Sequence, residues 1–283
     1  MNDILDSLRR ELQQPGLVLT EPNEVSTFTT DWTRKFSGTA PAVLRPKDSD
    51  EVSKCVLACR KLGLAIIPQG GNTSMVGGSV PRNGELVLSL SRLNKIEHFN
   101  SVSATVQLQA GVVLEALQEH LAESGFVFPV DLGARGSCQI GGMIATNAGG
   151  IKVLRYGHMR EQVLGLEVVL ADGTVLSNLN CLKKNNTGLD LKHLFVGSEG
   201  ILGVITRAVL QARPKPLATQ TALLGIDTRQ KLPQLLTLIR EKLRGLSSLE
   251  IITRNSIELC KEIEPATREP FDNPFPACII VEE

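Results

Sequence analysis

The sequence predicts a mixed α/β and α+β fold, with two α/β layers in one larger domain and then the start of a smaller second domain. Three observations carry this. From about residue 40 to residue 212, apolar strand-like runs alternate with amphipathic helical stretches. Glycines and Asp-Gly pairs stand at the ends of those runs, where chains turn. Arg213-Pro214-Lys215-Pro216 then breaks the alternation, since two prolines so close continue neither a helix nor a central strand, and a new β-α-β pattern begins near 219.

The elements follow in order. Residues 3–14 are a predicted helix with Ile4, Leu5, Leu8 and Leu12 on one face. Ala42-Val43-Leu44 is a predicted strand. Asp48 followed by Glu51 is a capping-box pair for a helix over 49–62, which Gly63 ends. The run Leu64 to Pro68 returns as a strand, so the unit is β-α-β and its two strands are expected to be parallel. Leu86–Leu88 and 104–110 are further strands. Residues 112–124 form a helix with Leu114, Leu117 and Leu121 inward, stopped by Gly125. Residues 163–170 and 174–176 flank Asp172-Gly173, which predicts a hairpin with a two-residue turn. A long strand covers 202–212. In the second domain, 219–226 and 249–252 read as strands, 229–244 as a helix, and Asn255 as the cap of a helix to Ile263. The apolar run Cys278–Val281 is read as a last strand with an unpaired edge, so this domain is expected to be incomplete.

Composition limits the function classes. The chain has 283 residues, 42% of them hydrophobic, and a formal net charge of zero. A neutral chain argues against nucleic acid as the main partner. No apolar run reaches the roughly 18 residues of a membrane span. The N-terminal Met1-Asn2-Asp3-Ile4-Leu5-Asp6 is acidic and amphipathic, unlike a signal or Arg-rich transit peptide, which points to a cytoplasmic protein. Six scattered cysteines suggest no disulfide scaffold, and Cys55 with Cys59 reads as one buried helix face rather than a redox or metal pair. The four histidines lack zinc-site spacing. His98 and His120 read as surface residues; His158 and His193 lie beside glycine-rich segments and are secondary candidates for ligand contact.

The chemistry lies in three glycine-rich segments. The first is Gln69-Gly70-Gly71-Asn72-Thr73-Ser74-Met75-Val76-Gly77-Gly78-Ser79, a loop after a buried strand with four glycines and four small polar residues. Such a loop can turn its main-chain N–H groups to one centre and let a phosphate or pyrophosphate approach. Its spacing is neither G-x-G-x-x-G nor that of a P-loop. The second runs from Pro129 to Gly150, where Gly141-Gly142 opens a short helix whose N-terminus favours anions and whose Ile144-Ala145 face admits a flat ring. The third is Gly197-Ser198-Glu199-Gly200 leading into Ile201–Thr206, a strand whose backbone can bond a ring edge.

Gly70-Gly71-Asn72-Thr73 with Val76-Gly77-Gly78-Ser79, the segment 141–150, Leu154-Arg155-Tyr156-Gly157, residues 165–173, residues 186–191 and Gly197-Ser198-Glu199-Gly200 together resemble one family. It is the FAD-binding domain of the vanillyl-alcohol oxidase and p-cresol methylhydroxylase superfamily. Within it the chain is most similar to D-2-hydroxyglutarate dehydrogenases and related D-lactate and glycolate flavoenzymes, over about residues 20–283. The resemblance implies an FAD-binding domain over 1–213, in subdomains of about 20–100 and 101–213, and a ferredoxin-like cap domain beginning at 217. It implies FAD contacts from Pro68, Gly70, Gly71, Asn72, Thr73, Ser74, Gly77, Gly78 and Ser79 around the pyrophosphate. It implies further contacts from Pro129, Gly136, Ser137, Gly141, Gly142, Thr146, Asn147, Gly150, Gly200 and Ile205 around the ribityl chain and rings. Gly71→Val is accordingly expected to abolish FAD retention by filling the anion nest.

Several departures from the family qualify this. Asn72 stands where some members link flavin through His, so non-covalent FAD is expected. Ser74 replaces a common Gly and is tolerated if its φ is negative. Ile201 and Leu189 replace a frequent Thr and Tyr. The family's catalytic His, substrate Arg and divalent-metal ligands lie beyond the matched region, so no catalytic residue and no metal ligand is assigned here. The implied reaction is oxidation of a small D-2-hydroxy acid by hydride transfer to flavin N5, with a quinone or electron-transfer flavoprotein as acceptor. The alternative is a non-catalytic FAD-binding subunit or module that needs a partner chain. The enolpyruvate reductase branch is disfavoured, because residues 214–283 resemble a hydroxyacid-type cap.

Overall fold

The structure, a computed structural model, describes residues 2–283 and divides into two compact units. The first holds the residues up to Phe128, then 133–148 and 159–215. The second holds 129–132, 149–158 and 216–283.

The first unit opens with α1 (Asn2–Leu12), β1 (Val18–Leu19), α2 (Pro22–Ser26), β2 (Val43–Leu44), α3 (Ser49–Lys61), β3 (Ile66–Gln69) and β4 (Leu86–Ser89). Its first sheet runs in the order β1-β2-β4-β3. Strands β2 and β3 are each parallel to β4, so the expected parallel direction holds, with β4 inserted between them. The Asp48 carboxylate accepts the Glu51 N–H at 2.9 Å, as the capping-box reading requires. The Glu51 carboxylate reaches one residue further back, to the Lys47 N–H, at 2.9 Å. Helix α1 packs on α3 through buried Leu8 and Leu12, whereas Ile4 is exposed, against expectation.

Cys55 and Cys59 are both fully buried on α3, and burial pushes each thiol up to about 12. Their ordinary value is near 9, so the unfolded chain ionises first as pH rises. Stability is therefore expected to fall between about pH 9 and 12, because above 9 the unfolded state holds fewer protons than the folded one. A thiol reagent at neutral pH is expected to label exposed Cys181 and Cys260 and to leave Cys55 and Cys59 until unfolding. Rapid labelling of either buried thiol in the native protein would contradict this.

The chain continues with β5 (Ile96–Asn100), β6 (Thr105–Gln109), α4 (Leu114–Ala122), β7 (Phe126–Val127) and α5 (Ile140–Ala145). After α6 (Val153–Tyr156), which belongs to the second unit, come α7 (Met159–Gln162), β8 (Val163–Val169), β9 (Val175–Asn178), α8 (Lys192–Phe195), β10 (Val204–Gln211) and β11 (Arg213–Pro214). The second sheet is antiparallel in the order β5-β6-β10-β8-β9. Leu114, Leu117 and Leu121 of α4 are fully buried, as their spacing predicts, and Gly125 follows at φ +75°.

The β8–β9 connection differs from the expected two-residue turn. Leu170 N–H bonds the Thr174 carbonyl and Gly173 N–H bonds the Leu170 carbonyl, leaving three residues in the loop with Gly173 at φ +82°. That is a three-residue hairpin loop with Gly in the left-handed position, which an Asp-Gly pair serves equally well.

Glu167 on β8 ties helix α3 to the second sheet. Its side chain is 7% exposed. One carboxylate oxygen accepts from Ser49 Oγ, at the start of α3, and from Thr206 Oγ1 at 2.9 Å. The other lies 3.5 Å from Arg207 Nη1.

The second unit contains β12 (Thr221–Ile226), α9 (Leu232–Lys242), β13 (Ser248–Thr253), α10 (Arg254–Ile263) and β14 (Ala277–Glu282). The sheet order is β12-β14-β13, antiparallel throughout, so the last strand is the central one and both its edges are paired. This overturns the expected unpaired edge at Cys278–Val281. Ile226, Ile239, Ala277, Ile279 and Val281 form its core with Leu232, Leu235 and Leu236 of α9. The cap of α10 is Thr253, whose hydroxyl accepts from Ser256 N–H, rather than Asn255.

Candidate functional site

The three glycine-rich segments meet in the first unit. A cleft of about 50 Å3, open to solvent, is lined by Pro68, Gly70 and Leu90, by Gly141, Gly142 and Ala145, and by residues 199–200 and 203–205. The segments also touch one another. A Cβ built on Gly70 would lie 3.6 Å from Gly142 Cα, and one on Gly200 would lie 3.4 Å from Pro68 Cγ. Gly197 N–H bonds the Ile144 carbonyl at 3.1 Å, and Glu199 N–H bonds the Ala145 carbonyl at 2.8 Å.

The loop after β3 is braced by its own polar side chains. Gln69 is buried and its Nε2 donates to the Phe28 and Ser79 carbonyls, both at 2.8 Å. Asn72 adopts φ +53°, a conformation Asn tolerates better than most residues. Its Nδ2 donates to the Thr30 carbonyl and its Oδ1 accepts from Ser79 Oγ, each at 2.8 Å. With these side chains holding the turn, the N–H groups of Gly71 to Met75, Gly77 and Gly78 make no hydrogen bond among the described residues. Seven unpartnered donors on one partly exposed loop are available to an anion. Ser74 has no positive φ, so its side chain is accommodated.

The floor is α5, and its two glycines have different reasons. A Cβ on Gly141 would meet Ala110 Cβ at 2.7 Å, so this glycine lets the helix pack closely. A Cβ on Gly142 would meet nothing within 4 Å, so this glycine leaves space on the cleft side. The N–H groups of Ile140 and Gly141 bond the Val112 and Ala110 carbonyls, at 2.9 and 2.7 Å. The first two donors of α5 are therefore committed to the fold, and of the Gly141-Gly142 pair read as an anion site only the Gly142 N–H stays without a partner among the described residues. Ala145 faces the cleft as expected, but Ile144 is fully buried and does not line it. Gly71 is likewise a packing glycine: its Cβ would lie 2.0 Å from the Ser137 carbonyl oxygen. Gly71→Val would thus break the fold of this loop before it filled any nest.

The third wall is positioned by Arg160, a residue the sequence reading missed. Its Nη2 donates to the Val196 carbonyl at 2.6 Å and its Nη1 to the His193 carbonyl at 3.0 Å, while its own N–H bonds Asn147 Oδ1 at 3.0 Å. This clamp holds Gly197-Ser198-Glu199-Gly200, in which Gly197, Glu199 and Gly200 all have positive φ. The Glu199 carboxylate projects to within 3.4 Å of where a Gly78 Cβ would stand. His193 sits outside the cleft lining. Burial lowers its imidazole below the ordinary value, and Lys192 beside it adds to the effect.

Of the sequence-predicted residues, Pro68, Gly70, Gly141, Gly142, Gly200 and Ile205 line the cleft. Asn72, Thr73, Ser74, Gly77, Gly78 and Ser79 continue the same loop beyond it. Gly136 and Ser137 are exposed; Thr146 Oγ1 is turned back onto the Gly142 carbonyl at 3.0 Å, and Asn147, at φ +48°, serves Arg160. Pro129 and Gly150 belong to the second unit, where a Cβ on Gly150 would lie 1.9 Å from the Asp131 carbonyl oxygen. Leu90, Glu199, Gly203 and Val204 were not singled out as site residues. The Gly-flanked turn at 197–200 was the available signal for Glu199. No cluster of His, Cys, Asp and Glu suited to a metal occurs among the described residues, and no helix there is long and apolar enough to cross a membrane.

Comparison with known proteins adds the following. Residues 40–178 match the family described as FAD binding domain. The chain is 52% identical over 223 residues to the D-2-hydroxyglutarate dehydrogenase, mitochondrial, of Bos taurus, covering 79% of this chain and 41% of that protein. It is 41% identical over 262 residues to the D-2-hydroxyglutarate–pyruvate transhydrogenase of Saccharomyces cerevisiae, covering 92% and 53%. The chain thus spans about half the length of the curated relatives it matches. A solved alkyldihydroxyacetonephosphate synthase structure superposes with a TM-score of 0.84 at 20% identity, over 100% of this chain and 55% of the other. That likeness shows the fold. The mitochondrial names of several relatives overturn the cytoplasmic expectation. That expectation rested on an N-terminal helix that packs into the fold and reports on no compartment.

Proposed function

We propose that this chain, whose residues 40–178 are an FAD binding domain, is the flavin-holding part of a mitochondrial dehydrogenase. Its substrate is a D-2-hydroxy acid of the hydroxyglutarate, lactate or glycolate class, and its product the 2-oxo acid. The convergence of three glycine segments on one cleft carries the cofactor reading. The names of relatives at 41–52% identity support the substrate class.

The residues fit the cofactor. The unpartnered N–H groups of 71–75, 77 and 78 suit a pyrophosphate, which needs donors and close approach without Cβ atoms. Asn72 and Ser79 act on each other to hold that loop rather than on the phosphates. Gly142 and Ala145 leave a flat floor against which a ring can lie. The Ile205 backbone, beside the bulge at Thr206, offers polar atoms to a ring edge. Asn72 lacks a nucleophile for flavin attachment, so FAD is held non-covalently. When bound, FAD supplies the hydride acceptor for C2 of the hydroxy acid, and the protein supplies orientation and water exclusion.

On this reading, residues 1–213 form the FAD-binding part and 217–283 the beginning of a substrate domain, with a quinone or electron-transfer flavoprotein as the electron acceptor. No histidine lines the cleft among the described residues, so this chain alone is expected to bind FAD without oxidising substrate. The test is anaerobic mixing of D-2-hydroxyglutarate, D-lactate and glycolate with the FAD-loaded product of the whole gene. Bleaching of the flavin by at least one of them is expected. A flavin that stays oxidised with all three would contradict the dehydrogenase reading.

A further inference from the structure

The first unit carries a second concavity, lined by residues the flavin reading leaves unused. It has a volume of about 530 Å3 and is open to solvent, between the residues after β2, the loop after β4, and strands β5, β6 and β10. Five cations reach it: Arg45, Lys47, Arg92, Lys95 and Arg207. The carboxylates are Asp48 and Glu97.

The pairing within the cleft is unequal. Glu97 lies 2.9 Å from Arg207 Nε. Lys47 is paired with Glu51 at 3.2 Å, and Asp48 is committed to the cap of α3. Arg45, Arg92 and Lys95 have no carboxylate partner among the described residues. Arg45 Nε is buried and makes no hydrogen bond, which a folded chain rarely leaves so. Arg92 Nη1 donates to the Arg45 carbonyl at 2.8 Å, binding the two arginine-bearing segments to each other.

We infer that this cleft is a binding site for a small oxyanion of several negative charges, distinct from the flavin site. Guanidinium groups offer forked donors that match phosphate and carboxylate oxygens. The three uncompensated cations are satisfied together by one such ligand. The concave shape favours a small molecule over a flat macromolecular face. Phosphate and polycarboxylate ligands share this chemistry.

The test is calorimetric titration of the FAD-saturated protein at low ionic strength, with pyrophosphate in one arm and citrate in the other. Saturation with FAD keeps pyrophosphate out of the flavin cradle. One site is expected, with Arg45→Gln/Lys95→Gln weakening it about tenfold or more, and FAD content unchanged, because neither residue lines the flavin cleft. Tighter pyrophosphate assigns a phosphate ligand, and tighter citrate a polycarboxylate. Lys95→Gln alone removes an exposed side chain with no hydrogen bond to break, so it remains informative if the double variant does not fold; a loss of about threefold is expected. No binding of either anion to the wild type, or equal affinity in all variants, would overturn the proposal.

Discussion

Gly142→Val is expected to fold like the wild type and to lose roughly 10- to 100-fold in FAD affinity, the equivalent of about 1.4–2.7 kcal/mol. Both effects are steric. A Cβ at 142 meets nothing within 4 Å, so the backbone at this position has room for a side chain. Within a helix, valine is a few tenths of a kcal/mol better than glycine, so thermal stability stays level or rises slightly. The valine methyls then occupy the cleft floor, where the ring would lie. Gly71→Ala supplies the contrast: its Cβ would stand 2.0 Å from the Ser137 carbonyl oxygen. There the expected result is a loss of about 1–3 kcal/mol in stability, with flavin loss as its consequence. Equilibrium FAD titration and thermal melts on both variants check this. Wild-type affinity in Gly142→Val would mean that the cleft floor is not where the flavin sits.

Glu167→Ala is expected to cost about 3 kcal/mol of stability. The carboxylate is buried and serves the Ser49 and Thr206 hydroxyls and the Arg207 guanidinium. Truncation leaves these groups facing an apolar void, and unsatisfied buried groups of this kind cost about 1–3 kcal/mol each, more when charged. Arg207 retains Glu97, which limits the loss. The melting temperature should fall by roughly 10 °C, taking 2–4 °C per kcal/mol for a chain of this size. Glu167→Gln keeps an acceptor for both hydroxyls and is expected to lose about 1 kcal/mol. A change of under 2 °C in Glu167→Ala would show that the packing of α3 on the second sheet does not depend on this residue.

Local signals in the sequence were reliable where local physics decides. The Asp48 cap, the leucine face of α4 and the Gly125 stop are set by neighbours within a few residues, and all three are as expected. The glycine segments themselves were legible for the same reason. Long-range choices were not. Strand β14 was assigned an open edge because nothing in Cys278–Val281 encodes that β12 and β13 flank it. Strand β5, Ile-Glu-His-Phe-Asn, was missed because an edge strand with exposed polar residues lacks a clear alternation. The roles of individual glycines were equally hidden. Gly71 packs on Ser137 and Gly142 faces open space, a difference set by residues up to 66 positions away. Arg160 escaped notice because its partners, the carbonyls of His193 and Val196, are main-chain atoms that leave no side-chain signature.

The most direct test of the central claim is the flavin content of the purified chain. The account predicts one FAD per polypeptide, visible in the absorption spectrum and released without covalent attachment when the protein is denatured. A folded, colourless chain that fails to take up added FAD would contradict it.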